Sequence, residues 1–291
     1  KKGPIREIIA SKARSIMGKS SDFPYLHGFS KKEQDRLRQQ ARFAEFKVYQ
    51  DINLSGTKEL LEIGSGVGAQ SEILLRRFPD INLTGIDLND NQLDAAKTSM
   101  EGNDFAKGRF KYLKMDAANM DFESNSFDGA FLCWVLEHIP KPQRVLSEAR
   151  RVLKNGSTIY ITEVLNSSFF LDPYSPNVWS YWMKFNDYQH ENAGDPFVGA
   201  KLGNFLMSLG FQDIKTEVKT WHYDNRFPDK RKETIDFWTD LLMSGKDQLI
   251  KENVIDEELA EAAHAELKAV ANDPDAVFFY SFVQASAKVV K

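Results

Sequence analysis

Short apolar runs alternate with helix-period segments through the middle of the chain, over residues 58–164. A first run, 58–63, ends at Ile63 and opens into three alternating glycines. Continuous apolar character of this kind suits a parallel strand covered on both faces. A helix is expected over 69–77, stopped by Phe78-Pro79-Asp80. A second strand over 82–86 ends on Asp87, and a helix runs from an Asn89 or Asp90 cap to about Gly102. Strands at 109–114 and 129–134 follow. A helix then runs from Pro142 through Arg151 and ends at Asn155-Gly156, and a fifth strand covers 158–164. Strands separated by single helices predict a doubly wound α/β architecture with a mostly parallel sheet.

The flanks read differently. Residues 1–50 read as a helical N-terminal extension. Within it Ser30-x-x-Glu33 is a capping-box pattern, and Leu37, Ala41, Ala44 and Val48 keep helical spacing. The cofactor-binding core spans 51–165. An aromatic cap insertion occupies 166–197, with a density of rings that argues against a bare loop. Residues 198–291 return to the core. They hold a helix at 198–209, a strand at 214–218, a helical insertion at 228–271 read as two helices, and a last strand at 277–287.

Composition narrows the class. The 291 residues are 42% hydrophobic and 27% charged, within the ordinary globular range. The net charge of −4 gives no bulk attraction to a phosphate backbone, so nucleic acid is not an expected partner. Cys133 is the single cysteine, which excludes an internal disulfide and disfavours a thiolate zinc site. It fits a reducing, cytoplasmic setting. No His or acidic cluster marks a metal site. No apolar run reaches the ~18 residues needed to span a bilayer, so no membrane partner is expected. The basic start lacks a long apolar segment and is not read as a signal peptide.

The chemistry centres on Glu62-x-Gly64-x-Gly66-x-Gly68. Glycines let the backbone turn tightly and approach a ligand, and the following helix turns its N–H groups and positive dipole end toward it. Asp87, 19 residues after Gly68, closes the neighbouring strand, where a carboxylate can accept from both ribose hydroxyls. A dinucleotide loop, G-x-G-x-x-G, would put its third glycine at position 69, where Ala69 is tolerated. At this point NAD and S-adenosylmethionine both remain open.

The downstream pattern separates them. Asp116 lies in LKMDAANM. Met120-x-Phe122 and Phe127-Asp128 precede an apolar strand that ends in Leu136-Glu137-His138. With KNGSTIYITE as the fifth strand, some 110 residues, 58–164, carry these motifs in order. The chain therefore resembles the class I S-adenosylmethionine-dependent methyltransferases, particularly those acting on small molecules. That resemblance implies a Rossmann-like, seven-stranded sheet in the order 3-2-1-4-5-7-6 with strand seven antiparallel. It also implies that Glu62 opens the cofactor motif and that Gly64, Gly66 and Gly68 contact the methionine moiety. Asp87 holds the ribose, Leu88 packs on adenine, and Asp116 with Ala117 sets the adenine edge. Cys133 contributes its backbone, and Tyr25 and His27 close over the methionine end.

The expected activity is methyl transfer to a small, partly hydrophobic acceptor by a monomer or homodimer. The acceptor site is expected between the 25–29 cluster and the aromatic segment 169–190. A base, where one is needed, would come from His138, His190, His222, Glu137 or Glu163, with His138 best placed. Two other readings compete. A nicotinamide-dependent oxidoreductase would need hydride machinery such as Tyr-x-x-x-Lys, whereas Tyr181-x-x-Lys184 has the wrong spacing. A non-catalytic cofactor-binding module would keep the glycines and Asp87 without turnover.

Overall fold

The computed structural model of the chain describes residues 30–291. Tyr25 and His27 lie outside the described residues. Ser30 caps the first helix, α1 (Lys31–Tyr49), accepting from the Glu33 N–H at 3.2 Å. The core then follows as β1 (Glu59–Ile63), α2 (Ala69–Arg77), β2 (Asn82–Asp87), α3 (Asp90–Glu101), β3 (Phe110–Lys114) and β4 (Phe127–Cys133). α4 (Pro142–Val152) leads into β5 (Leu153–Val164), a three-residue β6 (Phe170–Asp172) and α5 (Pro176–Glu191). The chain ends with α6 (Leu202–Ser208), β7 (Gln212–Tyr223), α7 (Pro228–Ser244), α8 (Lys246–Lys251), α9 (Glu257–Ala271) and β8 (Val277–Lys288).

β3-β2-β1-β4-β5 pair in parallel, and β8 runs antiparallel to β5. One edge of β8 carries β7 along nearly its whole length. The other carries β5 at residues 282–288 and β6 at 277–279. The expected order is thus present with one correction: β6 makes an eighth strand, continuing the line of β5. The strand order reverses between β1 and β4, the place where doubly wound sheets open a crevice at their C-terminal ends.

Two apolar layers hold the helices. One face collects Ile73, Leu74 and Leu75 of α2, Leu93, Ala96 and Met100 of α3, and the cap helices α5, α7 and α9. The other collects Val145, Leu146, Ala149 and Val152 of α4 with Leu202 and Leu206 of α6. α1 is bound into the first layer through Ala41, Ala44, Val48 and Tyr49. The Tyr49 hydroxyl donates to Gln70 Oε1 at 2.7 Å, and Glu45 pairs with Arg76 and Arg77 at 2.7 and 3.1 Å. The N-terminal helix is therefore fastened to the helix that follows the glycine loop.

Four differences from the expected elements have local causes. α4 stops at Val152 rather than at Asn155-Gly156, because Leu153 turns extended and pairs with Phe127, so β5 begins there. Gly245 ends α7 and restarts the chain as α8, so 228–271 holds three helices rather than two. The helix expected at 198–209 begins as a 3₁₀ turn, Val198–Lys201, where Gly199 lies close against the β5 backbone; a Cβ there would lie 2.6 Å from the Val164 carbonyl. β7 extends beyond 214–218 in both directions because the long β8 offers pairing over its full length. Among the described residues, no helix is long and apolar enough to cross a membrane.

Candidate functional site

The glycine loop sits where the fold places the crevice. Gly64, Gly66 and Gly68 all have positive φ, 73°, 48° and 74°, a region that side-chain-bearing residues enter at a cost. Their surroundings differ. A Cβ on Gly64 would stand 2.5 and 2.7 Å from the two γ-methyls of Val135, and one on Gly68 would stand 2.9 Å from the Tyr112 hydroxyl oxygen. A Cβ on Gly66 would meet nothing within 4 Å. Gly64 and Gly68 thus pack against the protein itself, whereas Gly66 faces open space. Gly68 caps α2 without a side-chain bond, leaving first-turn N–H groups and the dipole directed at that space.

Asp87 joins this loop to the second strand. Its Oδ2 accepts from Gly66 N–H at 2.9 Å and its Oδ1 from Asn89 N–H at 3.0 Å. Each oxygen keeps a further lone pair for a ligand hydroxyl. Burial pushes this carboxyl above its usual range, against the pull of the Asn89, Gly66 and Leu88 N–H groups. Next to it Leu88 is 64% exposed, an apolar side chain with no protein cover. The Met115 N–H donates to the Asp87 carbonyl at 3.0 Å, which brings the next loop alongside. There Asp116 is exposed, its Oδ1 accepting from Ala118 N–H at 2.8 Å, and Ala117 is half-buried.

Beneath the loop lies a buried polar layer. Glu62 is 2% exposed and accepts from the Ser71 hydroxyl. Burial raises its carboxyl to about 8, with the nearby Asp87 charge adding to the effect. The hydroxyls of Ser65 and Tyr112 are buried without a hydrogen-bond partner. Glu62 is therefore a support under the loop, one layer removed from the open face of Gly66.

The β4 end closes the other side. Ile63 pairs with Leu132, which sets Cys133 beside Gly64. Cys133 is half-buried, and burial, with the Glu163, Glu62 and Glu137 carboxylates around it, pushes its thiol well up. Trp134 follows at φ 55°, uncommon for a bulky residue, with its N–H on the Thr162 carbonyl at 2.8 Å. A 3₁₀ turn, Leu136–His138, then carries Glu137 and His138. His138 Nε2 lies 3.7 Å from Glu137 Oε1, with the His138 side chain 26% exposed.

The other base candidates separate. Glu163 is fully buried and accepts from Val135 and Leu136 N–H at 3.0 and 2.7 Å. His190 is exposed at the end of α5, and His222 is exposed on the edge strand β7, its ring against Phe279 at 5.7 Å.

The aromatic segment departs from the expected acceptor wall. Tyr181, Trp182, Phe169, Phe185 and Tyr188 are 0–7% exposed. Phe169 stacks on Trp238 with centroids 5.4 Å apart, and Trp182 stacks on Phe185 at 5.5 Å. The Tyr181 hydroxyl donates to the Leu242 carbonyl at 2.7 Å. These rings glue α5 to α7, α9 and β8. Tyr174, by contrast, is 73% exposed. Residues that sequence reasoning missed are Ser65, Tyr112, Val135 and Gln189. Their roles depend on contacts between distant segments and leave no motif.

Comparison with known proteins adds the family context. The methyltransferase domain profile matches residues 61–161. Sterol 24-C-methyltransferase erg-4 of Neurospora crassa is 35% identical over 160 residues, which cover 54% of this chain and 37% of that protein. The chain thus spans little more than a third of this curated relative's length. Phosphoethanolamine N-methyltransferase 2 of Haemonchus contortus, solved in complex with S-adenosyl-L-methionine, superposes with a TM-score of 0.53 at 19% identity. The match covers 87% of this chain and 53% of that one. The [4+2]-cyclase SpnF superposes with a TM-score of 0.53 at 18% identity, over 99% and 96% of the two chains. At these identities the two structures establish the fold alone, which hosts more than one chemistry.

Proposed function

We propose that the chain, whose residues 61–161 match the methyltransferase domain, is a class I S-adenosylmethionine-dependent enzyme that methylates a small, partly hydrophobic organic acceptor. The observation that carries this reading is the Gly66–Asp87 pair. An open-faced glycine amide is bonded to a strand-end carboxylate that retains accepting capacity. Gly64, Gly66, Gly68 and the start of α2 hold the methionine part, and Asp87 holds the ribose hydroxyls. Leu88 covers one adenine face, and Asp116 with Ala117 meets the adenine edge. Cys133 offers its backbone at the β4 end. Uncovered Leu88 fits such a ligand better than it fits an empty surface.

S-adenosylmethionine, when bound, supplies a methyl group on a cationic sulfur that leaves as a neutral thioether. The chain's own residues then have to align the acceptor and exclude water. For an O–H or N–H acceptor, His138 takes the proton at a ring nitrogen, and the Glu137 carboxylate 3.7 Å away stabilises the imidazolium. The lone half-buried Cys133 suits a reducing compartment, the cytoplasm. The test is transfer of a labelled methyl group from S-adenosylmethionine to a panel of phenols, amines, thiols, carboxylates and carbon acids. Labelled product from one class, lost in Asp87→Ala, supports the reading. No transfer to any class would contradict it.

A further inference from the structure

The ends of β4 and β5 enclose an acidic cluster that methyl transfer does not itself require. Glu163 on β5 is 0% exposed. Its Oε1 accepts two backbone N–H groups, from Val135 and Leu136, while its Oε2 is buried with no partner. Glu137 is 9% exposed, and its Oε2 accepts from Gln189 Nε2 at 2.9 Å. The Oε1 of Gln189 is likewise buried with no partner. Amide and ionised carboxylate oxygens only accept, so what the cluster lacks is a hydrogen.

No side chain around it supplies one. Glu137 on the turn after β4 carries the same charge sign as Glu163. Cys133 at the end of β4 and Tyr280 on β8 lie within electrostatic reach, but the Tyr280 hydroxyl is committed to Asn166 Oδ1 at 2.9 Å. His138 faces Glu137 Oε1. On the segment that backs β5, Lys201 is paired with Asp195. An ionised Glu163 would therefore stand beside Glu137 with one oxygen neither solvated nor paired, an arrangement proteins avoid.

We infer that Glu163 is a positioning residue, held as the neutral acid, that pins residues 134–138 against the glycine loop. The path is direct. Glu163 holds the Val135 and Leu136 amides, and the Val135 methyls occupy the space a Gly64 side chain would need. Gln189 fixes Glu137 from the cap helix, so loop, cap and glycine turn share one anchor. Burial, with the Glu137 charge next, raises the Glu163 carboxyl to about 8 against the pull of the Leu136, Val135 and Glu137 N–H groups, in keeping with a neutral acid at pH 7. The link to cofactor binding rests on the methyltransferase reading; the protonation state does not.

The test compares the wild-type chain, Glu163→Gln and Glu163→Ala. A raised native carboxyl gives stability that is complete below its unfolded value near 4.5 and is lost as pH rises toward about 8. Wild-type Tm should therefore fall from pH 5 to pH 8 relative to that of Glu163→Gln, which keeps the accepting oxygen and carries no titrating proton. Glu163→Gln should also retain wild-type protection of the 135–136 amides in hydrogen exchange at pH 7. It should bind S-adenosylhomocysteine within about threefold of wild type. Glu163→Ala should lose both the protection and at least tenfold in affinity. A Glu163→Gln protein with the same pH slope as wild type, or with lost amide protection, overturns the neutral-acid assignment. Full protection in Glu163→Ala overturns the anchoring. Failure of wild type itself to bind S-adenosylhomocysteine would refute the functional reading instead, leaving the Tm and exchange comparisons to decide the role of Glu163.

Discussion

Gly64 and Gly66 are two residues apart and share a positive φ, yet alanine should cost stability mainly at the first and binding at the second. At Gly66 the new Cβ meets nothing within 4 Å, so the only penalty to folding is the left-handed backbone at φ 48°, ~1–2 kcal/mol. At Gly64 the same backbone penalty is joined by overlap with Val135, where the Cβ would stand 2.5 Å from one methyl and 3.2 Å from the Val135 Cβ itself. Overpacking of this kind adds ~1–3 kcal/mol, for a total of about 2–5 kcal/mol. With about 2 °C lost per kcal/mol in a chain of this size, Gly66→Ala should lower Tm by about 2–4 °C and Gly64→Ala by about 4–10 °C. Binding should divide the other way. The Gly66 methyl intrudes where the cofactor lies, so Gly66→Ala should weaken S-adenosylhomocysteine at least tenfold by calorimetry. Adding Val135→Ala to Gly64→Ala should recover part of the lost Tm, because two of the three close atoms disappear. Wild-type affinity in Gly66→Ala would refute the reasoning, since the open side of the loop would then not be the ligand side.

Asp87→Ala removes the Gly66 tether and the ribose acceptor together; with each hydrogen bond contributing ~0.5–1.5 kcal/mol, S-adenosylhomocysteine affinity measured by calorimetry should fall roughly tenfold to a hundredfold in a protein that still folds. Glu62, held near pKa 8 by burial, also contributes stability that is present in acid and lost as pH rises toward about 8; Tm scans of Glu62→Gln from pH 5 to 8 should show a shallower fall than wild type, and an equal slope would place the ionised form in the native state. The Tyr181 hydroxyl serves the buried Leu242 carbonyl, so Tyr181→Phe should destabilise by ~1–3 kcal/mol in denaturant titration, while exposed Tyr174→Ala should stay within about 0.5 kcal/mol. Equal effects from the two would remove the structural role given to the buried rings.

The alternating core was legible because its signals are local. The first helix of the core was read at its observed bounds, 69–77, since glycine precedes it and Phe78-Pro79 stops it. The cap insertion also carried a readable period. Val178, Tyr181, Trp182, Phe185 and Gln189 repeat at three and four residues and are the buried face of α5. What did not show was where that face packs, so rings that complete the core looked like a pocket wall. β7 was underestimated because it is an edge strand; its exposed Lys215, Glu217 and Val218 break the apolar alternation that marks a half-buried strand. The glycine loop and Asp87 could be found from spacing alone. The Val135 contact on Gly64 and the Glu163 bonds to residues 135 and 136 could not. They join segments separated by dozens of residues, and only the register of β1 on β4 and β4 on β5 brings them together.

The central claim is that the Gly66–Asp87 crevice takes an adenosyl sulfur compound rather than a nicotinamide dinucleotide. Isothermal titration of the wild-type chain with S-adenosylhomocysteine, and separately with NAD, tests it most directly. Saturable one-to-one binding of S-adenosylhomocysteine, weakened roughly tenfold to a hundredfold in Asp87→Ala, with no heat from NAD over the same range, is the expected result. Saturable NAD binding with none for S-adenosylhomocysteine would contradict the claim.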